Sequence, residues 1–187
     1  EFFALHRKIP HVHTYHTVFS DYVHHFPGHK FLPAKQVVEG YSSFFCNACD
    51  AIVAPSQKIA GMLKQYHVRT PMEVIANGVD VRRFQNVQKG FLRQRLKLPK
   101  DAEVLLYVGR LAKEKNIDFL VDALPRVLRD HPKAVFVLVG TGPQEKAIRA
   151  RVAKVGIADR THFAGVFPYQ DIPSVFADGD LFLFPSL

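Results

Sequence analysis

The feature that most constrains the fold is a change of hydrophobic period around one glycine. Residues 104–108 form an unbroken apolar run, and Gly109 ends it. A basic loop follows, Arg110-Leu111-Ala112-Lys113-Glu114-Lys115-Asn116, and then Ile117, Leu120, Leu124 and Val127 recur at helical spacing. A short apolar run closed by a turn reads as a buried strand, and the recurrence after it as an amphipathic helix. Strand, basic loop and helix together present positive charge at the carboxyl edge of a parallel sheet, where open α/β sheets bind ligands. Arg110 and Lys115 are the charges placed to meet a diphosphate, one a planar fork and the other a point charge. The same residues also fit a solvated basic loop, with Lys113 beside them.

The remainder of the chain repeats the pattern. Strands are predicted over residues 9–15, 51–54, 73–76, 134–139, 161–164 and 181–184, and helices over 34–48, 117–130, 144–155 and 172–177. Ser56, after Pro55, is a good N-cap for a helix whose inward stripe is Ile59, Leu63 and Tyr66. Pro125 inside the helix 117–130 is expected to kink it, and Gly156 to close the helix before it. Residues 81–103 are polar and basic with no strand pattern, apart from a short helix over 91–98. We read them as a linker between a first domain, residues 1–80, and the start of a second, residues 104–187. Alternating β and α elements argue for an α/β fold, parallel sheets flanked by helices on both faces. Loops 14–20, 54–57, 109–116, 140–143 and 165–170 then fall at strand carboxyl ends. Gly140-Thr141-Gly142 lacks the third glycine of the dinucleotide fingerprint, so a hydride-transfer cofactor is poorly supported. The two glycines fit either a tight turn or a ligand contact.

Composition narrows the class. The chain has 187 residues and a formal net charge of +8. Lys and Arg outnumber Asp and Glu by 14 to 8 over residues 1–103, and by 11 to 9 over residues 104–187. The basic excess belongs to the first half, which suits an anionic partner such as nucleotide phosphate or an acidic lipid surface, or is ordinary solubilising charge. No helix carries a clean basic face and no aromatic stacking motif appears, so nucleic acid is not expected. No apolar run approaches the roughly 20 residues of a membrane-spanning helix. Cys46-Asn47-Ala48-Cys49 lacks a second ligand pair for zinc, and it ends a helical run where the dipole does not activate a thiol. The pair reads as structural in a reducing compartment.

Four blocks carry a resemblance. They are Gly109-Arg110-Leu111-x-x-Glu114-Lys115-Asn116, Val139-Gly140-x-Gly142-Pro143, Phe163-x-Gly165-x-x-Pro168 and Asp180-Leu181-Phe182-Leu183-Phe184-Pro185-Ser186. In this order and spacing they resemble the retaining glycosyltransferases of family 4, which have the GT-B architecture. Pro55-Ser56 and Asn77-Gly78-Val79-Asp80 match in the first half. His13-Thr14-Tyr15-His16-Thr17, followed by Asp21-Tyr22-Val23-His24, is similar to the branch that glucosylates diacylglycerol.

The resemblance implies two Rossmann-like domains, a nucleotide-sugar donor with UDP-glucose foremost, no cofactor and no metal. It implies that Arg110 and Lys115 grip the donor diphosphate and support the leaving group. It assigns Gly109 to donor binding, Gly140 and Gly142 to the close approach of backbone to nucleotide, and Phe167 and Pro168 to the base. His16 would lie near the transferred sugar, and Ser56, Tyr15 and Asp21 on the acceptor side. The acceptor would be a lipid such as diacylglycerol or a sugar, and the protein would be cytoplasmic or peripheral at the inner membrane face. Residues 19–31, which include Lys30, with Lys35 nearby, would touch an anionic bilayer, or form an ordinary acceptor loop. The family also has a glycine-rich loop before this stretch and a Glu-x7-Glu motif after it. The chain therefore reads as a piece of a longer enzyme, catalytically silent by itself. The alternatives are another donor or acceptor within the family, such as a mannosyltransferase, and a non-catalytic nucleotide-binding module.

Overall fold

The computed structural model describes Arg7 and residues 9–16, 34–85 and 87–186. The expectations for Asp21, the segment 19–33, Lys30 and the Lys35 side chain lie outside the described residues. The chain divides into two compact units, Glu1–Val79 and Asp80–Leu187.

In the first unit three parallel strands lie in the order β1 (Val12–Thr14), β2 (Ala51–Ala54), β3 (Met72–Val74). β1 is shorter than the predicted 9–15: His11 N, the next donor facing β2, goes to the Asp50 carboxylate at 2.7 Å in place of a ladder carbonyl. A last bond, from Tyr15 N to the Val53 carbonyl at 2.9 Å, extends the pairing by one residue. β3 begins one residue earlier than predicted and ends at Val74, where its partner β2 ends: Ile52 aligns with Met72 and Ala54 with Val74. Helices α1 (Ala34–Asn47) and α2 (Gln57–Gln65) belong to this unit. Tyr15, Cys46, Ile52 and Leu63 form its buried centre. Both cysteines are buried, and Cys49 Sγ donates to the Phe45 carbonyl at 3.5 Å.

The second unit is built on four parallel strands, β4 (Glu103–Val108), β5 (Ala134–Val139), β6 (Thr161–Gly165) and β7 (Leu181–Phe182), in the spatial order β6-β5-β4-β7. Every residue of β5 is buried, as expected for a central parallel strand covered on both faces. The period-2 alternation sorts the side chains. Leu105, Tyr107, Phe136 and Leu138 face one way, against Ile117, Leu120, Val121, Leu124 and Leu128 of α4 (Ile117–Asp130) and Ile148 and Val152 of α5 (Glu145–Lys154). Val104, Leu106, Val135, Val137 and Val139 face the other way, against Leu92 of α3 (Phe91–Arg95) and Val175 of α6 (Ile172–Ala177). α4 runs unbroken across Pro125, with one backbone donor fewer. β7 stops at Phe182, short of the predicted 184; Leu183 N still reaches the Leu106 carbonyl at 2.8 Å, and Pro185 has no N–H to continue.

Residues 81–103, read from their polarity as a linker, pack with the second unit. Leu92 is fully buried, and Leu98 and Ala102 lie in the same core as Val104 and Leu106. One anchor holds their short helix. The buried carboxylate of Asp178 accepts the N–H groups of Gly90, of Leu92 at 2.6 Å and of Arg93 at 3.1 Å. A tertiary residue thus satisfies the donors that the short helix α3 leaves open.

The strand order fixes where a ligand would go. From β4 the chain steps outward through β5 to β6, then returns to the other side of β4 as β7. The order therefore reverses at β4, and in open α/β sheets ligands bind beyond the strand carboxyl ends at such a switch point.

Candidate active site

Arg110, Lys115, Phe184 and Ser186 all follow the carboxyl ends of β4 and β7, the two strands at the switch point. Asn116 adopts the left-handed conformation, φ 51°, and joins the one-turn 3₁₀ helix Lys113–Lys115 to α4. This kink holds Lys115 at the loop's end. Its Nζ donates to Ser186 Oγ at 3.4 Å and stands 5.4 Å from the centroid of the Phe184 ring. Ser186 Oγ donates in turn to the Glu114 carbonyl. The Arg110 guanidinium pairs with the Glu114 carboxylate one turn on, while its side chain stays 60% exposed. Donation from Arg110 holds the Glu114 carboxyl below the usual glutamate range. Tyr107 is fully buried beneath this loop, and its hydroxyl donates to the Arg110 carbonyl at 3.0 Å. Burial, with Glu114 nearby, pushes its phenol up to about 12.

The glycines have a structural task first. Gly109 N donates to the Val139 carbonyl at 2.9 Å, Leu111 N to Thr141 at 3.0 Å, Gln144 N to Leu111 at 2.9 Å, and Gly140 N to Gly165 at 2.7 Å. Three loops are laced edge to edge by their main chains. A Cβ on Gly140 would strike the Gly109 carbonyl, and one on Gly142 the Leu111 backbone. Thr141 Oγ1 donates to Glu145 at the start of α5, tying the loop to that helix.

Two of the expected site residues have buried side chains. The Phe167 ring is only 6% exposed; it sits edge-on to Phe91 at 5.8 Å, with the Arg95 guanidinium over its face at 4.8 Å. It fills the core beside α3, while Val166 and Pro168 on either side of it are exposed. Tyr15 is 3% exposed, its hydroxyl paired with Ser42 Oγ at 3.1 Å, so it serves the core of the first unit. His16 is exposed just past β1. Ser56, just past β2, caps α2 by accepting the Ile59 N–H at 3.3 Å. Tyr107 and Phe184, each of which reads in the sequence as one more apolar strand position, both contact this loop. Among the described residues no group of three or more His, Cys, Asp or Glu is arranged to hold a metal, and no helix is long and apolar enough to cross a membrane.

A doubly wound α/β unit with an arginine–lysine loop at its switch point matches a known class. Residues 88–187 match the family Glycosyl transferases group 1, and residues 2–83 match Glycosyltransferase Family 4. The chain belongs to the group 1 glycosyl transferases, and its fold is of the GT-B type. Among its relatives, the alpha-monoglucosyldiacylglycerol synthase of Streptococcus pneumoniae is 29% identical over 189 residues, covering 96% of this chain and 42% of the relative. The lipopolysaccharide core biosynthesis mannosyltransferase LpsB of Rhizobium meliloti is 32% identical over 153 residues, covering 79% of this chain and 42% of its own length. The crystal structure of Anabaena HepE in complex with UDP-glucose superposes with a TM-score of 0.77 at 25% identity, covering 98% of this chain and 48% of that one. The chain thus spans less than half the length of each of these relatives.

Proposed function

We propose that the whole protein is a retaining hexosyltransferase that moves glucose from UDP-glucose to a lipid acceptor, diacylglycerol foremost. The observation that carries this reading is the placement of Arg110 and Lys115 beyond β4, at the reversal of strand order. In the transfer, the bond from the anomeric carbon to the diphosphate breaks, a bond to the acceptor hydroxyl oxygen forms, and the hydroxyl proton is released. Negative charge grows on the leaving diphosphate. A guanidinium fork and an ammonium fixed in advance stabilise that charge without reorganising, and they supply compensation that needs no metal. The exposed imidazole of His16 is assigned to the transferred sugar, and Ser56 to the acceptor side. Pro168 and the backbone around it are assigned to the base. Gly109, Gly140 and Gly142 hold the loop that carries the cations. Acceptor supply places the enzyme at the cytoplasmic membrane face.

A mannosyl donor is the second reading, favoured by the likeness to LpsB. Full-length protein incubated with a panel of nucleotide-sugars and diacylglycerol separates the two. The expected result is glucosyl transfer from UDP-glucose, reduced about a hundredfold by Arg110→Ala, the usual cost of losing one charge-stabilising donor. An undiminished rate in that variant would remove the diphosphate role.

A further inference from the structure

Two aromatic residues, Tyr107 fully buried and Phe184 about half exposed, connect Arg110 and Lys115, the two cations of the candidate diphosphate clamp. The Tyr107 ring is fully buried and lies nearly parallel to Phe184, with centroids 6.3 Å apart and an interplanar angle of 15°. The Tyr107 hydroxyl donates to the main-chain carbonyl of Arg110. The other ring, Phe184, faces the Lys115 ammonium at 5.4 Å, inside the range at which a ring quadrupole attracts a cation.

We infer that Tyr107 and Phe184 are positioning residues that set the Arg110 backbone and the Lys115 ammonium in the geometry that receives a nucleoside diphosphate. The inference rests on the donor reading given above. A buried phenol needs an acceptor, and an unmet hydroxyl is costly in a dry site. Meeting that need at the Arg110 carbonyl pins the loop at the root of an arginine whose head is exposed. Gly109 leaves room for it: a Cβ there would stand 2.9 Å from the Tyr107 hydroxyl oxygen. The second arm acts on the other cation. Lysine is a flexible point charge with a large rotamer entropy to lose, and the Phe184 face together with Ser186 Oγ restricts it before a ligand arrives. Because the two rings are stacked, the arms share one platform.

The test uses full-length protein, UDP as the probe, and two variants that keep shape and apolarity. Tyr107→Phe deletes only the hydroxyl, and Phe184→Leu deletes the ring face. Each is expected to weaken UDP binding by about threefold to tenfold, the size of one net polar interaction, with the acceptor KM unchanged. Variants that lower the melting temperature but bind UDP as wild type does would show a purely structural role and overturn the inference. Wild-type protein that fails to bind UDP would sink the donor reading itself, and the inference with it.

Discussion

The Gly109 carbonyl occupies the place where a side chain on Gly140 would have to stand. Gly140 also has φ 129°, a conformation that L side chains rarely adopt. The loop after β5 is therefore a glycine's loop because the loop after β4 lies against it. Gly140→Ala is expected to cost on the order of 2–4 kcal/mol, combining strain and displaced backbone. Gly61, within α2, has open space where a Cβ would go. Gly61→Ala should stabilise by about 0.5–1 kcal/mol through helix propensity and a less flexible unfolded chain. Urea midpoints of the two variants should move in opposite directions.

Asp178 anchors α3 across 86 residues of sequence through Leu92 N. Asp178→Ala leaves three backbone donors without their acceptor and should cost about 2–4 kcal/mol. Asp178→Asn keeps one acceptor oxygen and should fall between. Limited proteolysis near residues 88–95 reads the same event, because cleavage there requires α3 to leave the core.

The Tyr107 phenol, pushed up to about 12 by burial, gives a prediction with a definite sign. Its folded value lies above the unfolded value of roughly 10, so folding favours the protonated form. That contribution is complete below pH 10 and is lost as pH rises from about 10 to about 12. Ultraviolet titration of phenolate should show a late step near pH 12, absent in Tyr107→Phe. A late step that survives the substitution would contradict the assignment.

Glu114 works in the opposite direction. Its value is depressed by donation from Arg110, so the stabilisation is present above the unfolded glutamate value, about 4.3, and fades as pH falls through the lower folded value. In Arg110→Ala the Glu114 carboxyl should titrate closer to 4.3, a shift readable by carbon-detected magnetic resonance. The pair is partly exposed, 60% and 24% at the two side chains, so the effect on unfolding should be small.

Basic residues concentrate in the first half of the chain, 14 against 8 acidic over residues 1–103. If the enzyme works at an anionic bilayer, vesicle binding should rise with the fraction of acidic lipid and weaken with salt, because exposed charges are screened beyond about 10 Å at 0.1 M. Binding that ignores salt, or no binding, would count against the membrane role.

Much of this architecture was legible residue by residue. The helix Ile117–Asp130 and the strands Ala51–Ala54 and Ala134–Val139 fall where periodicity placed them. Each is local: a hydrophobic repeat records which side of a segment is buried, and a cap such as Ser56 records where a helix starts. The same logic put Arg110 and Lys115 on a loop at the carboxyl edge of a parallel sheet.

By itself, then, the sequence determined the succession of elements, the class of fold and the two cations of the candidate site. Only the tertiary structure decided the strand order β6-β5-β4-β7, and with it the switch point that makes this loop the one a ligand would meet. It also decided that Phe167 and Tyr15 turn into cores, that residues 81–103 join the second unit, and that Asp178 caps a helix 86 residues away. The physical reason is range. Periodicity reports that a face is covered, while the identity of the covering element depends on contacts between residues far apart in the chain. The clamp shows both limits, since its charges stand in the motif but the rings of Tyr107 and Phe184 meet only once β4 and β7 lie side by side.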